Sequence, residues 1–338
     1  MGRPPRGEKR VLGFSLEPAV PMSEAVRQVA CAELETAYAS VASPPDRHRG
    51  VHDARKCLKR LTSLLVLIKP GLPDPVFLNL TERLRTIAKG LAPARDAQAL
   101  LDAIAKLGKD PSGDDDGAAI RGLTAWLQQQ RRAAEQSLEG NMAADAMRGL
   151  FGLRPALANL AVYPDGFEPV ARGLRDSYRS ARKAFALAFE GRDDEAFHDW
   201  RKTLQRHWRH MQLLSPCWPS ELSARVELSR NLSQILGDDH DLAQLVRLVS
   251  APTMVFANPE DTAAFVKRCR RRQKTLRREA QSRGARLFVE QAKPFVERIE
   301  AYWTAAAAQG VKRPAPKPVA DNVVAFGAAG SGRARASG

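Results

Sequence analysis

Two short segments carry the residues best placed to do chemistry. His52-Asp53-Ala54-Arg55-Lys56 and His198-Asp199-Trp200-Arg201-Lys202 repeat a His-x-x-Arg-Lys pattern 146 residues apart. On a helix, residues three and four apart share a face, so each copy groups an imidazole with two cations. Arginine offers a planar fork of donors matched to phosphate and carboxylate oxygens, and lysine adds a point charge. Such a group suits the gripping of an anion rich in phosphate.

Projection at about 100° per residue extends both groups. With His198 at zero, Arg201, Lys202, Gln205, Arg206 and Arg209 fall on an arc roughly 140° wide, while Trp200, Leu204, Trp208 and Met211 gather near 200–280°. His52, Arg55, Lys56, Lys59 and Arg60 span the same arc in the first copy, backed by Ala54, Leu58, Leu61 and Leu65. From His198 to Arg209 the rise is roughly 16 Å, longer than one phosphate needs and suited to a chain of them. A solvated surface face normally mixes signs, whereas here only Asp53 and Asp199 interrupt the cations. Uncompensated like charge is costly unless a ligand neutralises it. His52 and His198 sit at the centre of their arcs, where protonation beside arginine is disfavoured until a polyanion arrives. His207 and His210 project away and read as packing or surface residues, and His48 as a loop residue before its helix.

Other cations follow the same habit. Arg172, Arg175, Arg179 and Arg182 form a stripe with Tyr178, Arg131 and Arg132 sit in the first half, and 267–286 holds ten basic residues against Glu279 alone. The formal net charge is +15, carried by 39 Arg and 14 Lys. Residues 1–10 contribute +3 and residues 312–338 contribute +4, so the body keeps +8 and the arcs matter more than the total.

The elements that must position these arcs are helices. Apolar residues recur at three- and four-residue spacings almost throughout, with little β-branched alternation. Breaks such as Ser43-Pro44-Pro45, Lys69-Pro70-Gly71, Tyr163-Pro164-Asp165-Gly166 and Gly191-Arg192 divide helices near 22–42, 49–69, 76–91, 95–107, 118–139, 143–160, 168–190, 194–214, 219–236, 240–250, 260–281 and 285–307. The order is repeated. Leu91-Ala92-Pro93-Ala94-Arg95-Asp96 is echoed by Leu236-Gly237-Asp238-Asp239-His240-Asp241 at an offset of 145, and Leu150-Phe151 by Leu287-Phe288 at 137. Slowly shrinking offsets in constant order are what a duplicated helical bundle gives. The expected fold is all-α: two pseudo-symmetric bundles, 13–160 and 168–307, with a basic groove or pore between them. A basic N-terminal segment (1–12) and an Ala/Gly/Pro/Ser-rich tail (308–338) read as disordered.

Several function classes recede. No apolar run approaches the roughly 20 residues of a membrane span, and Val11-Leu12-Gly13-Phe14 is too short for a signal peptide's apolar core, so the expectation is a cytoplasmic protein away from membranes. Cys31, Cys57, Cys217 and Cys269 lie far apart without a CxxC and read as buried hydrophobes, not as a zinc site or disulfide framework. No cofactor, metal site or catalytic residue is expected.

The chain resembles the CHAD family, the conserved-histidine α-helical domain. The resemblance rests on VHDARKCLKRL at 51–61, FHDWRKTLQRHWRHMQLL at 197–214, LAPARDAQALL at 91–101, LGDDHDLAQLV at 236–246 and QSRGARLF at 281–288, and spans about 13–307. It implies two helical bundles meeting at a basic groove that binds inorganic polyphosphate, and association with polyphosphate granules. Carried onto this sequence, it implies binding by His52, Arg55, Lys56, Lys59, Arg60, His198, Arg201, Lys202, Arg206 and Arg209, with Arg179 and Arg182 from the neighbouring helix. Gln205 stands where a cation is usual, opposite Lys59, and Ser63 stands opposite Arg209, so the half-sites are expected to be unequal.

Two rivals share the residues. His-Asp at 52–53, 198–199 and 240–241 suggests an HD-type metal phosphohydrolase, but the first two pairs are followed by Arg and Lys, which repel a divalent metal. His240 sits in an acidic cluster that reads as the cap of a helix at 240–250. A non-specific nucleic-acid binder fits the charge, yet the aromatics lie on apolar faces and offer no stacking platform. An interaction scaffold tethered by the tail is a third reading.

Overall fold

The computed structural model describes residues 13–309 apart from 45, 92, 109–116, 138–141 and 252–257. The segments 1–12 and 310–338, read as disordered from sequence, lie outside the described residues. Among the described residues eleven α-helices run Met22–Ala42 (α1), Arg47–Ile68 (α2), Asp74–Gly90 (α3), Pro93–Gly108 (α4), Gly117–Ser137 (α5), Ala143–Ala158 (α6), Glu168–Gly191 (α7), Asp194–Leu214 (α8), Pro219–Val249 (α9), Pro259–Leu287 (α10) and Ala292–Gln309 (α11). There is no strand among the described residues. The all-α reading therefore holds, and most helix ends lie within two or three residues of those expected from apolar periodicity.

The exceptions are few. α10 runs past the expected end at 281 to Leu287, and α11 starts at Ala292 and not at 285. Two others have physical causes. The expected break at 237–239 does not occur, and α9 runs through Gly237-Asp238-Asp239 for 31 residues. Its acidic residues do not cap a new helix because they have tertiary partners. Asp239 is buried against the Arg277 guanidinium at 2.8 Å, and Asp238 accepts from Lys106 Nζ at 2.8 Å. At α2 the chain turns helical two residues earlier than expected, placing His48 within the helix, because the Asp46 side chain accepts from the Arg49 amide.

Helix neighbours follow one pattern in both halves. α1 packs on α2 and α6 as α7 packs on α8 and α11, and α4 packs on α5 as α9 packs on α10. The halves share one apolar core, joined where α2 meets α7 and α8, and again at α4–α9 and α5–α10. Gly173 makes the α2–α7 crossing possible: a Cβ there would stand 1.9 Å from the Leu67 carbonyl oxygen.

His210 fixes the second joint. It is fully buried, with Nε2 donating to the Ser63 carbonyl at 2.9 Å and Nδ1 accepting from Ser177 Oγ at 2.8 Å. One ring thus ties α8 to α2 and α7. Burial, with Arg206 and Arg209 nearby, holds its pKa down at about 3, so the ring is the neutral tautomer those two bonds require. His207 is likewise buried, packed against Tyr178, Phe288 and Phe295. Both histidines are packing residues, as their projection indicated.

Candidate functional site

The two motif helices begin alike. Asp46 caps α2, and Asp193 caps α8 by accepting from the Ala196 amide at 2.7 Å. Each then buries its apolar stripe: Ala54, Cys57, Leu58 and Leu61 on α2, and Phe197, Trp200, Leu204 and Met211 on α8. The core therefore fixes the rotation of each helix and turns the cationic arc away from it.

Because α2 and α8 pack together, arginines from both halves meet. Arg209 is largely buried, and its guanidinium pKa is pushed down to about 10, first by desolvation and then by the charges of Arg60, Arg206 and Arg201. That shift corresponds to roughly 3 kcal/mol of bias against the charge, which an anion would relieve. Burial also lowers Arg206. Arg209 donates to the Gln205 carbonyl at 3.2 Å and lies 5.7 Å from the Trp208 ring. Gln205 thus stands within the arc as a neutral residue whose backbone steadies its neighbour. Arg201 lies along α9 with its guanidinium beside Gly237.

His198 is half-buried and stacks on His240 from α9, with ring centroids 4.1 Å apart and an interplanar angle of 17°. Burial, Lys202 and Arg201 lower the His198 pKa. His240 is pushed down to about 4 by burial, then by His198, Arg201, Arg247 and Lys202. Two neutral imidazoles therefore face each other inside a cationic field. His240 Nε2 accepts from Gln244 at 3.0 Å, while His198 Nδ1 is buried without a hydrogen-bond partner. His240 is the residue the sequence reading misassigned: it belongs to the histidine-arginine group and is not a cap. The repeat held a signal for this, since the 145-residue offset aligns His240 with Arg95, a cation.

The first-half residues are more open. His52, Lys56 and Lys59 are exposed. Arg55 donates weakly to the Ala88 carbonyl at 3.4 Å, and Arg60 pairs with Glu33 at 3.1 Å while covering the Phe14 ring at 5.2 Å. Lys202 is exposed and holds Asp199 at 2.9 Å. Arg179 and Arg182, on α7, have partners of their own. Arg179 is exposed beside Asp176, and Arg182 is held at the α10–α11 turn by the Phe288 carbonyl and the Gln291 side chain. The ten basic residues of 267–286 are likewise divided. Arg268 is buried against the Leu107 carbonyl, Arg270 and Arg277 pair with Asp194, and Arg283 pairs with Glu279.

Among the described residues no three His, Cys, Asp or Glu side chains gather as a metal-binding group, and no helix is long and apolar enough to cross a membrane.

No curated protein matches the chain in sequence. The crystal structure of the CHAD domain from the plant Ricinus communis superposes on it with a TM-score of 0.51 at 18% identity, covering 89% of this chain and 98% of that one. The likeness establishes the fold. The sequence pattern of the CHAD domain matches residues 25–250, from α1 to the end of α9, whereas the motif-based span of 13–307 also takes in α10 and α11, which pack on the same core. With about two thirds of its residues inside that match and the fold of a solved relative, the chain belongs to the CHAD domain family.

Proposed function

We propose that this protein binds inorganic polyphosphate without turning it over, in a cradle formed by α2 and α8 from two duplicated halves, and so associates with polyphosphate granules. The observation that carries the reading is the meeting of Arg60, Arg201, Arg206 and Arg209 from opposite halves, with Arg209 mostly buried and its pKa lowered first by desolvation and then by the other three charges. Such a group relaxes when a polyanion supplies the missing negative charge. The matched neighbour pattern of the halves supports a duplicated origin. The binding residues are His52, Arg55, Lys56, Lys59, Arg60, His198, Arg201, Lys202, Arg206 and Arg209, joined by His240. Arg179 and Arg182 of α7, implied by the family resemblance, complete the set.

Many weak charge contacts act together, so affinity falls steeply with salt and with shorter chains. The test is equilibrium binding of long-chain polyphosphate at physiological salt, with duplex DNA as competitor at matched phosphate concentration. Retention of polyphosphate against excess DNA is the expected result. Displacement by DNA overturns the specific reading in favour of non-specific nucleic-acid contact. Phosphate release in Mg²⁺ or Mn²⁺ that His52→Ala abolishes overturns the non-catalytic reading.

A further inference from the structure

A second basic pocket lies beyond the cradle, where the end of α7, the start of α8 and the middle of α10 meet. It encloses about 410 Å³, with Phe189 and Phe197 at its apolar side and Arg192, Lys274, Arg277 and Arg278 among its cations. That volume is in the range of small-ligand sites. The pocket is built, not merely charged. Arg277 covers the Phe197 ring at 4.2 Å, pairs with Asp239 at 2.8 Å and Asp194 at 2.5 Å, and donates to the Arg192 carbonyl at 2.9 Å. Arg270 joins Asp194 at 2.8 Å, and buried Gln273 donates to the Asp239 carbonyl at 3.1 Å.

The two carboxylates neutralise Arg270 and Arg277 and leave the rest of the charge unmatched. Among the described residues Lys274 and Arg278 have no ion-pair partner, and Arg192 reaches only the Phe189 carbonyl at 3.3 Å. Arg192 is also the one non-glycine residue with positive φ among those described, at φ 57° and ψ 15°. This left-handed position closes α7 and is where glycine is normally found, because a side chain there costs free energy. Gly191 is one residue away, yet an arginine occupies the strained position and turns its side chain into the pocket. Strain held at a residue that lines a cavity points to use.

We propose that this pocket is a second anion site, separate from the cradle, that takes a short phosphate chain of about two to four phosphates, free or carried on a nucleotide. Arg192, Lys274 and Arg278 bind the phosphates, while Arg277, locked by Asp194 and Asp239, forms the rigid wall. The paired carboxylates would repel an anion laid deep against Arg270, so the ligand lies toward Lys274 and Arg278. Nothing in this assignment depends on the cradle binding polyphosphate.

The test uses the whole chain and isothermal titration at physiological salt, with tripolyphosphate and ATP as separate probes. Both probes are expected to bind. Lys274→Ala with Arg278→Ala weakens binding at least tenfold, whereas Arg206→Ala in the cradle changes it less than twofold. Arg192→Gly loses at least threefold in affinity while its melting temperature is kept or raised, because glycine relieves the strained backbone. Tighter binding of ATP assigns the nucleotide as the source, and equal or tighter binding of tripolyphosphate assigns the free chain. The proposal is overturned if neither probe binds, if the Lys274/Arg278 pair can be removed without loss, or if Arg206→Ala alone abolishes binding. Long-chain polyphosphate measured on the same variants reads the cradle separately.

Discussion

α2 and α8 carry one motif under different electrostatic conditions. On α2, Arg60 is paired with Glu33, and Ser63, the counterpart of Arg209, is buried and spends its hydroxyl on the Lys59 carbonyl. On α8, Arg206 has no carboxylate partner among the described residues, Arg209 adds a second mostly buried guanidinium, and exposed Lys202 holds Asp199. His52 is exposed, whereas His198 is half-buried against His240. The same His-x-x-Arg-Lys spacing therefore yields an open half, whose Arg60 is neutralised from within, and an enclosed half, whose Arg206 and Arg209 have no carboxylate partner among the described residues. Enclosure lowers the local dielectric, so each α8 cation contributes more toward an anion than its α2 counterpart.

Removing charge from each half tests this contrast most strongly. Arg206→Gln with Arg209→Gln is expected to weaken long-chain polyphosphate binding about 30-fold or more, from on the order of 1 kcal/mol for each lost contact. Lys56→Gln with Lys59→Gln, on exposed positions, should cost about threefold to tenfold by the same reckoning, less per contact because solvent screens them. The α8 pair should also leave the fold as stable or more stable, since it relieves desolvated like charge. Binding isotherms over a salt series, with thermal melts alongside, measure all three. Equal losses from the two pairs would mean that the enclosure of α8 has no energetic consequence.

The fold was legible because its signal is local. Three- and four-residue periodicity survives in almost every helix, and the motif helices emerge with their cationic arcs turned from the core. What escaped was tertiary. The acidic stretch Asp238-Asp239-His240-Asp241 has the composition of a helix start, and only Arg277 and Lys106, each far away in sequence, reveal that its carboxylates are already engaged. The pairing of Arg60 with Glu33 crosses from α2 to α1 and leaves no trace in either helix's own pattern. Arg182 lies on the expected stripe, yet its partners come from the α10–α11 turn, which helical projection cannot see.

A change of pH acts next in size, and with opposite signs on binding and folding. His198 and His240 are neutral in the free protein, with His240 held at about 4, and a bound polyanion favours their protonated forms. Binding therefore takes up protons, and affinity rises as pH falls from 7.5 toward 5.5, by about tenfold if one proton is gained across that window. His240→Gln should flatten the profile, because it removes the ring held at about 4 in the free protein. Folding moves the other way. His207 and His210 are depressed below their unfolded values, His210 to about 3, so their contribution is complete above about 6.5 and is lost as pH falls toward 3. The melting temperature should drop over the range in which affinity rises, and a rise in both together would contradict the assignment of neutral buried rings.

The smallest effect is the sharpest on the comparison itself. Glu33→Gln should make the α2 half resemble the α8 half by releasing Arg60 from its carboxylate. Glutamine keeps an oxygen where Glu33 Oε1 accepts from Arg60 at 3.1 Å, so the arginine stays in place while the opposing charge is gone. The fold should bear the change. Burial already raises the Glu33 pKa against the pull of Arg60, so a neutral side chain removes the cost of a desolvated carboxylate. Affinity for long-chain polyphosphate should rise about twofold to fivefold, the worth of one partly screened charge. The gain should vanish in an Arg60→Gln background, a double-mutant cycle that confines the effect to this pair. Unchanged affinity would remove Arg60 from the polyanion's path. A loss would mean that Glu33 holds Arg60 in its binding position, and that the inequality of the halves lies in geometry and not in charge.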